Sequence, residues 1–154
     1  MARDATARQY DVDADAVRLD ISKGEITFRA KKGRLVDLDK LHESIWATRL
    51  GVGTGMALDW IDVTAVGEVV VEKDGVALRV KGSDQRFVLK PGDRTDVAAL
   101  RKLAERGQSV SVTGRLEGWS GSFPPFLKTL PKKPRAIAVK EIEPVKVETP
   151  ARGR

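Results

Sequence analysis

The chain has 154 residues, with 28 Lys/Arg against 22 Asp/Glu, a formal net charge of +6 and a sequence pI near 9.7. That length suits one domain or two very small ones, and the cationic surplus favours acidic partners such as nucleic acid, anionic lipid or acidic proteins. The absence of cysteine excludes disulfides, thiolate metal sites and cysteine nucleophiles, and no apolar run approaches the roughly 20 residues a membrane helix requires.

Residues 1 to 14 are polar and mixed in charge and read as a flexible arm. They hold no hydrophobic signal core, so the chain reads as cytoplasmic. An exported form with its signal replaced by Met1 would read the same way. Ala16–Ile21 and Ile26–Ala30 alternate apolar and polar residues around the turn Ser22-Lys23-Gly24-Glu25, the pattern of a β-hairpin. A basic loop, Lys31 to Arg34, follows. Asp37 is a suitable N-cap for a helix from about Leu38 to Leu50, with Leu38, Leu41 and Ile45 as its buried stripe. Gly51-Val52-Gly53-Thr54-Gly55 follows that helix rather than opening one. It also lacks the Lys-Ser/Thr ending, so it reads as a C-cap and connection rather than a phosphate loop.

From Met56 onward the pattern is that of strands. Leu58–Val71 is long and β-branched, with Gly67 in its middle suggesting a bulge or sharp bend. Lys73-Asp74-Gly75 is a hairpin turn, followed by strands at Val76–Val80 and Gln85–Leu89. Asp96 caps a helix whose apolar stripe is Val97, Leu100, Leu103 and Ala104, with Gly107 as its stop. Ser109–Gly118 and Arg135–Glu143 are the last two strands, and Pro144 to Arg154 reads as a basic, disordered tail.

The order of three strands, a helix and two more strands, carried by VTAVGEVV, VALRV, RFVL and SVSVTGRLEG…RAIAVKEIE, resembles the OB-fold over about residues 58–143. The resemblance implies a small five-stranded barrel that binds something on one face. The stretch DAVRLDISKGEITFRAKKGRLVDLDKLHESIWATRL resembles the second half of a heavy-metal-associated domain, whose fold is ferredoxin-like. That family's metal loop carries two cysteines and this chain has none, so the resemblance implies a metal-free half-domain used for packing or docking. The expected fold class is therefore α+β and β-rich. A hairpin-plus-helix unit at 15–55 precedes an OB-like barrel at 56–143, with the arm at 1–14 and the tail at 144–154.

No catalytic constellation stands out. His42 is the only histidine, and a metal site needs more ligands than it and Glu43 supply. Asp11, Asp13 and Asp15 lack the glycine and terminal Glu of a calcium loop. No cofactor is expected. The most informative stretch joins the last two strands. It combines Trp119, Phe123 and Phe126 with Lys128, Lys132, Lys133 and Arg135. Rings and cations in that mixture suit stacked bases and phosphates of single-stranded DNA or RNA. They also suit a protein interface anchored by aromatics, the leading reading, or a segment folded over the barrel mouth. Arg79, Lys81 and Arg86 extend a basic face if their side chains point outward. The leading expectation is a non-enzymatic binding or assembly subunit that docks onto a larger protein partner or forms an oligomer. The alternative is a single-stranded nucleic-acid binder using residues 119–135.

Overall fold

The computed structural model describes residues 7, 17–20, 22–30, 38, 41, 60–117 and 135–145. The chain divides into two compact units, one of Met1–Ile61 with Gly82–Gln85 and Gly118–Lys133, the other of Asp62–Lys81, Arg86–Glu117 and Pro134–Arg154, and each is taken by itself.

In the first unit, β1 (Arg18–Asp20) and β2 (Glu25–Thr27) form the antiparallel hairpin that the alternation predicts, with Leu19 opposite Ile26. The turn between them is fastened from within. The Asp20 carboxylate accepts hydrogen bonds from Ser22 Oγ (2.6 Å) and the Lys23 amide (3.2 Å). The Ser22 hydroxyl first, and then the Lys23 amide, hold Asp20 below the usual carboxylate range. Leu38 and Leu41 are helical and buried, as their spacing predicts. Ile45, His42 and the Gly51–Gly55 run lie outside the described residues.

The second unit is β-rich with one described helix. Its strands are β3 (Asp62–Glu72), β4 (Gly75–Val80), β5 (Arg86–Lys90), β6 (Ser109–Leu116) and β7 (Arg135–Pro144); helix α1 (Val97–Arg106) lies between β5 and β6. The hydrogen-bonded order is β3-β4-β5-β7-β6, and β6 pairs back onto β3, so the sheet is a closed barrel. All pairings are antiparallel except β5 with β7, which run parallel.

Alternation sorts the side chains between interior and exterior. One interior row crosses four strands as Val69, Leu78, Phe87 and Arg135. The next crosses Val76, Leu89, Ile137 and Leu116. All of these residues are buried, as are Val110, Val112 and Val139. Aliphatic side chains of this size each stabilise the fold by about 1.5–3 kcal/mol when fully buried, and they make a core with one aromatic ring, Phe87.

Helix α1 starts where Asp96 caps it, its carboxylate accepting from the Ala99 amide at 2.6 Å, and it stops at Gly107 in the left-handed region (φ 58°). The helix packs on β3 and β4 through the fully buried Leu100. Val97, expected in the apolar stripe, is exposed instead, because it occupies the first turn.

Gly67 is not a bulge. Register runs unbroken through it on both sides, to Val80 and to Val110. The glycine is needed because a Cβ there would lie 2.0 Å from the Arg79 carbonyl oxygen. Gly114 is similar: a Cβ would lie 2.3 Å from the Ala138 carbonyl oxygen. The register shift of the barrel falls beside Gly114 instead. Thr113 faces Glu141 and Gly114 faces Val139, which leaves Lys140 as the extra residue on β7.

Candidate functional site

The outer surface of β4 and β5 is set by the same alternation that fills the core. With Leu78 and Val80 turned inward, Arg79 and Lys81 turn outward; with Phe87 and Leu89 inward, Arg86 and Lys90 turn outward. All four cations are exposed. Residues 75–81 and 86–90 contain these four cations and no carboxylate. Arg79 and Arg86 are directly opposite each other across the β4–β5 pair, an arrangement of like charges that is mildly destabilising. Arg86 is held by Glu72 at 2.7 Å, and Lys90 pairs with Glu117. Arg79 and Lys81 make no ion pair among the described residues. Farther along the barrel the outer row Val70, Ala77, Val88 and Ala136 is apolar. Ala77 there is only 1% exposed, so the Arg79–Lys81–Arg86 end of this surface is accessible and is separated from the exposed Lys90 by that row.

The β6–β7 side has a different character. Its outward residues on β6 are Ser109, Ser111, Thr113 and Arg115. Past the bulge, β7 turns Glu141 and Glu143 outward, opposite Thr113 and Ser111. Both carboxylates are exposed and make no ion pair among the described residues. Thr64 Oγ1 and Thr113 Oγ1 share a hydrogen bond of 2.9 Å that ties β3 to β6.

Asp62, the first residue of β3, gathers two cations. Arg115 donates from Nε (2.8 Å) and Nη2 (3.1 Å), and the bulged Lys140 donates to both carboxylate oxygens at 3.1 Å. The bidentate Arg115 guanidinium chiefly, with Lys140 beside it, holds Asp62 below the usual carboxylate range against a smaller effect of burial. This group fastens three strands at one end of the barrel. Sequence reading missed it because the contacts span 53 and 78 residues.

Of the residues that sequence singled out, Arg79, Lys81 and Arg86 do share one exposed face. Trp119, Phe123, Phe126, Lys128, Lys132 and Lys133 lie outside the described residues. Arg135 is 6% exposed and in register with the inward Phe87, so it belongs to the barrel interior rather than to an outer surface. The described residues contain no group of three His, Asp or Glu able to hold a metal ion. None of the described helices is long and apolar enough to cross a membrane.

No protein-family model, no curated protein and no solved structure matches the chain. The surfaces of the barrel are therefore the ground on which a role is assigned.

Proposed function

We propose that the barrel is an OB-fold and that the protein is a non-enzymatic binding or assembly subunit, docking onto a larger protein partner through the outer surface of β4 and β5. The topology supports the fold assignment. Counted from β3, the strands follow the order 1-2-3-5-4 and return to 1, the third and fifth run parallel, and the helix falls between the third and fourth. Barrels of this kind bind on their second and third strands and the neighbouring loops, which here are β4 and β5.

The observation that carries the functional reading is the composition of those two strands. They expose Arg79, Lys81, Arg86 and Lys90 with no carboxylate among them. Such a face suits a partner segment rich in Asp and Glu. The sequence adds Trp119, Phe123 and Phe126 with Lys128, Lys132 and Lys133 in the segment leaving β6 and returning at β7, and rings flanked by cations are suitable interface anchors.

Single-stranded nucleic acid is the competing ligand. It needs outward rings for stacking, and the only aromatic side chain on β3 to β7 is Phe87, which is inward and buried. On the strands themselves that favours a protein partner, and base stacking would fall to Trp119, Phe123 and Phe126. The test is capture of a partner by the immobilised full chain and by its Arg79→Glu/Arg86→Glu variant, alongside titration of fluorescent oligo-dT and oligo-rU at low and moderate salt. Capture lost in the variant, with no oligonucleotide binding, is the expected result. Micromolar oligonucleotide affinity that falls steeply with salt would move the assignment to nucleic acid. Capture indifferent to the double substitution would remove this face from the function.

A further inference from the structure

The outer surface of the barrel is electrically lopsided. Residues 60–117 and 135–145 together hold twelve Lys/Arg and eleven Asp/Glu, a net charge of +1. The barrel is thus near neutral while the whole chain carries +6, yet its charges are sorted by strand. One outer row runs Arg86, Arg79, Glu68, Ser109; a neighbouring one runs from Lys81, whose amide bonds to the Val66 carbonyl, through Val66 and Ser111 to Glu143. Cations occupy the β4–β5 end of these rows and Glu141 and Glu143 the β7 end, with Glu68 and Val66 of β3 and the small hydroxyl side chains of β6 between.

Within one molecule these two ends cannot neutralise each other. From β4 to β7 by way of β3 and β6 is three strand steps, roughly 14 Å of sheet at the usual spacing. Charges at that distance on an exposed surface are largely screened at physiological ionic strength, where the screening length is about 8 Å. In a second molecule they can meet. The acidic end also exposes apolar area at Val145, which is 37% exposed. Val145 is tied beside Ser109 through its own amide, so the Glu141 and Glu143 carboxylates lie near a valine against which an arginine stem can pack.

We infer that the β4–β5 face of one chain docks onto the β6–β7 face of a second copy, with Arg79, Lys81 and Arg86 opposite Glu141 and Glu143. This rests on the reading of β4–β5 as a docking face and names the occupant as a copy of the same chain. The contact joins two different patches, so each added copy leaves one of each kind unfilled. Assembly is therefore head-to-tail and grows with concentration unless the rotation closes a ring.

The test is sedimentation velocity of the full chain across a concentration series at low and high salt, with each variant first checked for a native circular dichroism spectrum. Wild type is expected to sediment faster as concentration rises in low salt and to return to monomer in high salt. Arg79→Glu/Arg86→Glu and Glu141→Lys/Glu143→Lys are each expected to stay monomeric, and their equimolar mixture to associate again. Asp93→Lys/Glu105→Lys makes the same change in net charge as Glu141→Lys/Glu143→Lys away from both faces, and on its own it is expected to associate like wild type. A wild type that stays monomeric throughout overturns the inference and leaves the docking reading to its own capture test. Association abolished by the arginine pair but untouched by Glu141→Lys/Glu143→Lys also overturns it, while keeping β4–β5 as a docking face.

Discussion

The β4–β5 and β6–β7 flanks of the barrel are alike inside and opposite outside. Inside, both are mainly aliphatic, with Phe87 and Arg135 the exceptions, and share continuous rows, Val69–Leu78–Phe87–Arg135 and Val76–Leu89–Ile137–Leu116. Both also bring two strands together over a glycine, Gly67 under Arg79 and Gly114 under Ala138. Outside, one flank shows four cations and no carboxylate, and the other shows hydroxyls, the carboxylates Glu141 and Glu143, and two cations, Arg115 and Lys140, that are held by Asp62. Closing the barrel demands the inner likeness, since every strand must fill the same space to the same density. No folding requirement produces the outer difference. It is therefore the better guide to what the protein does.

If the flanks are equivalent inside, truncating either core should be equally harmful. Leu78→Ala on β4 and Ile137→Ala on β7 are each expected to destabilise by about 2–5 kcal/mol, read as a shift of the urea midpoint at unchanged slope. Tolerance of one but not the other would break the equivalence. Next come the two glycine crossings. Gly67→Ala and Gly114→Ala each force a methyl group into a backbone carbonyl, and a loss of about 1–3 kcal/mol or more is expected from each by the same assay.

A smaller effect belongs to the Asp62 clasp, which exists on the β6–β7 side alone. Asp62→Asn should lower the melting temperature by at most about 4 °C, because a surface ion pair contributes little even when bidentate. The pH dependence has a definite sign. The folded carboxyl ionises below its unfolded value near 3.9. Its contribution is therefore complete above about pH 4 and disappears as the pH falls through the folded value. Melting curves of wild type and Asp62→Asn should accordingly start to approach each other near the unfolded value and coincide only once the pH is below the lowered folded value, and a gap that persists below it would show that the clasp acts through shape rather than charge. Smallest of all, Arg79→Glu/Arg86→Glu should change stability by no more than about 0.5 kcal/mol, since Arg79 has no ion pair among the described residues and Arg86 only an exposed one. A large loss would mean these arginines serve the fold rather than a partner.

Much of this barrel is legible in the sequence because alternation is a local signal. Val76–Val80, Arg86–Leu89 and Ser109–Leu116 announce their inner and outer residues, and Asp96 and Gly107 announce both ends of α1. The errors lie where closure, not local pattern, decides. Gly67 reads as a bulge or sharp bend; its unbroken register excludes the bulge, and the close approach that requires a glycine is revealed only by its facing strand. Strict alternation from Ile137 would place Ile142 outside and Glu141 and Glu143 inside. The extra residue at Lys140 resets that phase, and nothing in Val139-Lys140-Glu141 signals it. The acidic face was hidden for this reason. The cationic face was visible because β4 and β5 are regular. Arg135 looked like a surface cation because charge usually implies exposure, whereas its register with Phe87 sets it inside.

The central claim is that the outer surface of β4 and β5 is where the protein docks. Its most direct measurement is mass-spectrometric mapping of arginine reactivity toward a dicarbonyl reagent, in dilute protein and in concentrated or partner-saturated protein. Arg79 and Arg86 should become protected on association while Arg101 and Arg106 of α1 react as before. Uniform reactivity at all four positions under conditions where association is demonstrated would contradict the claim.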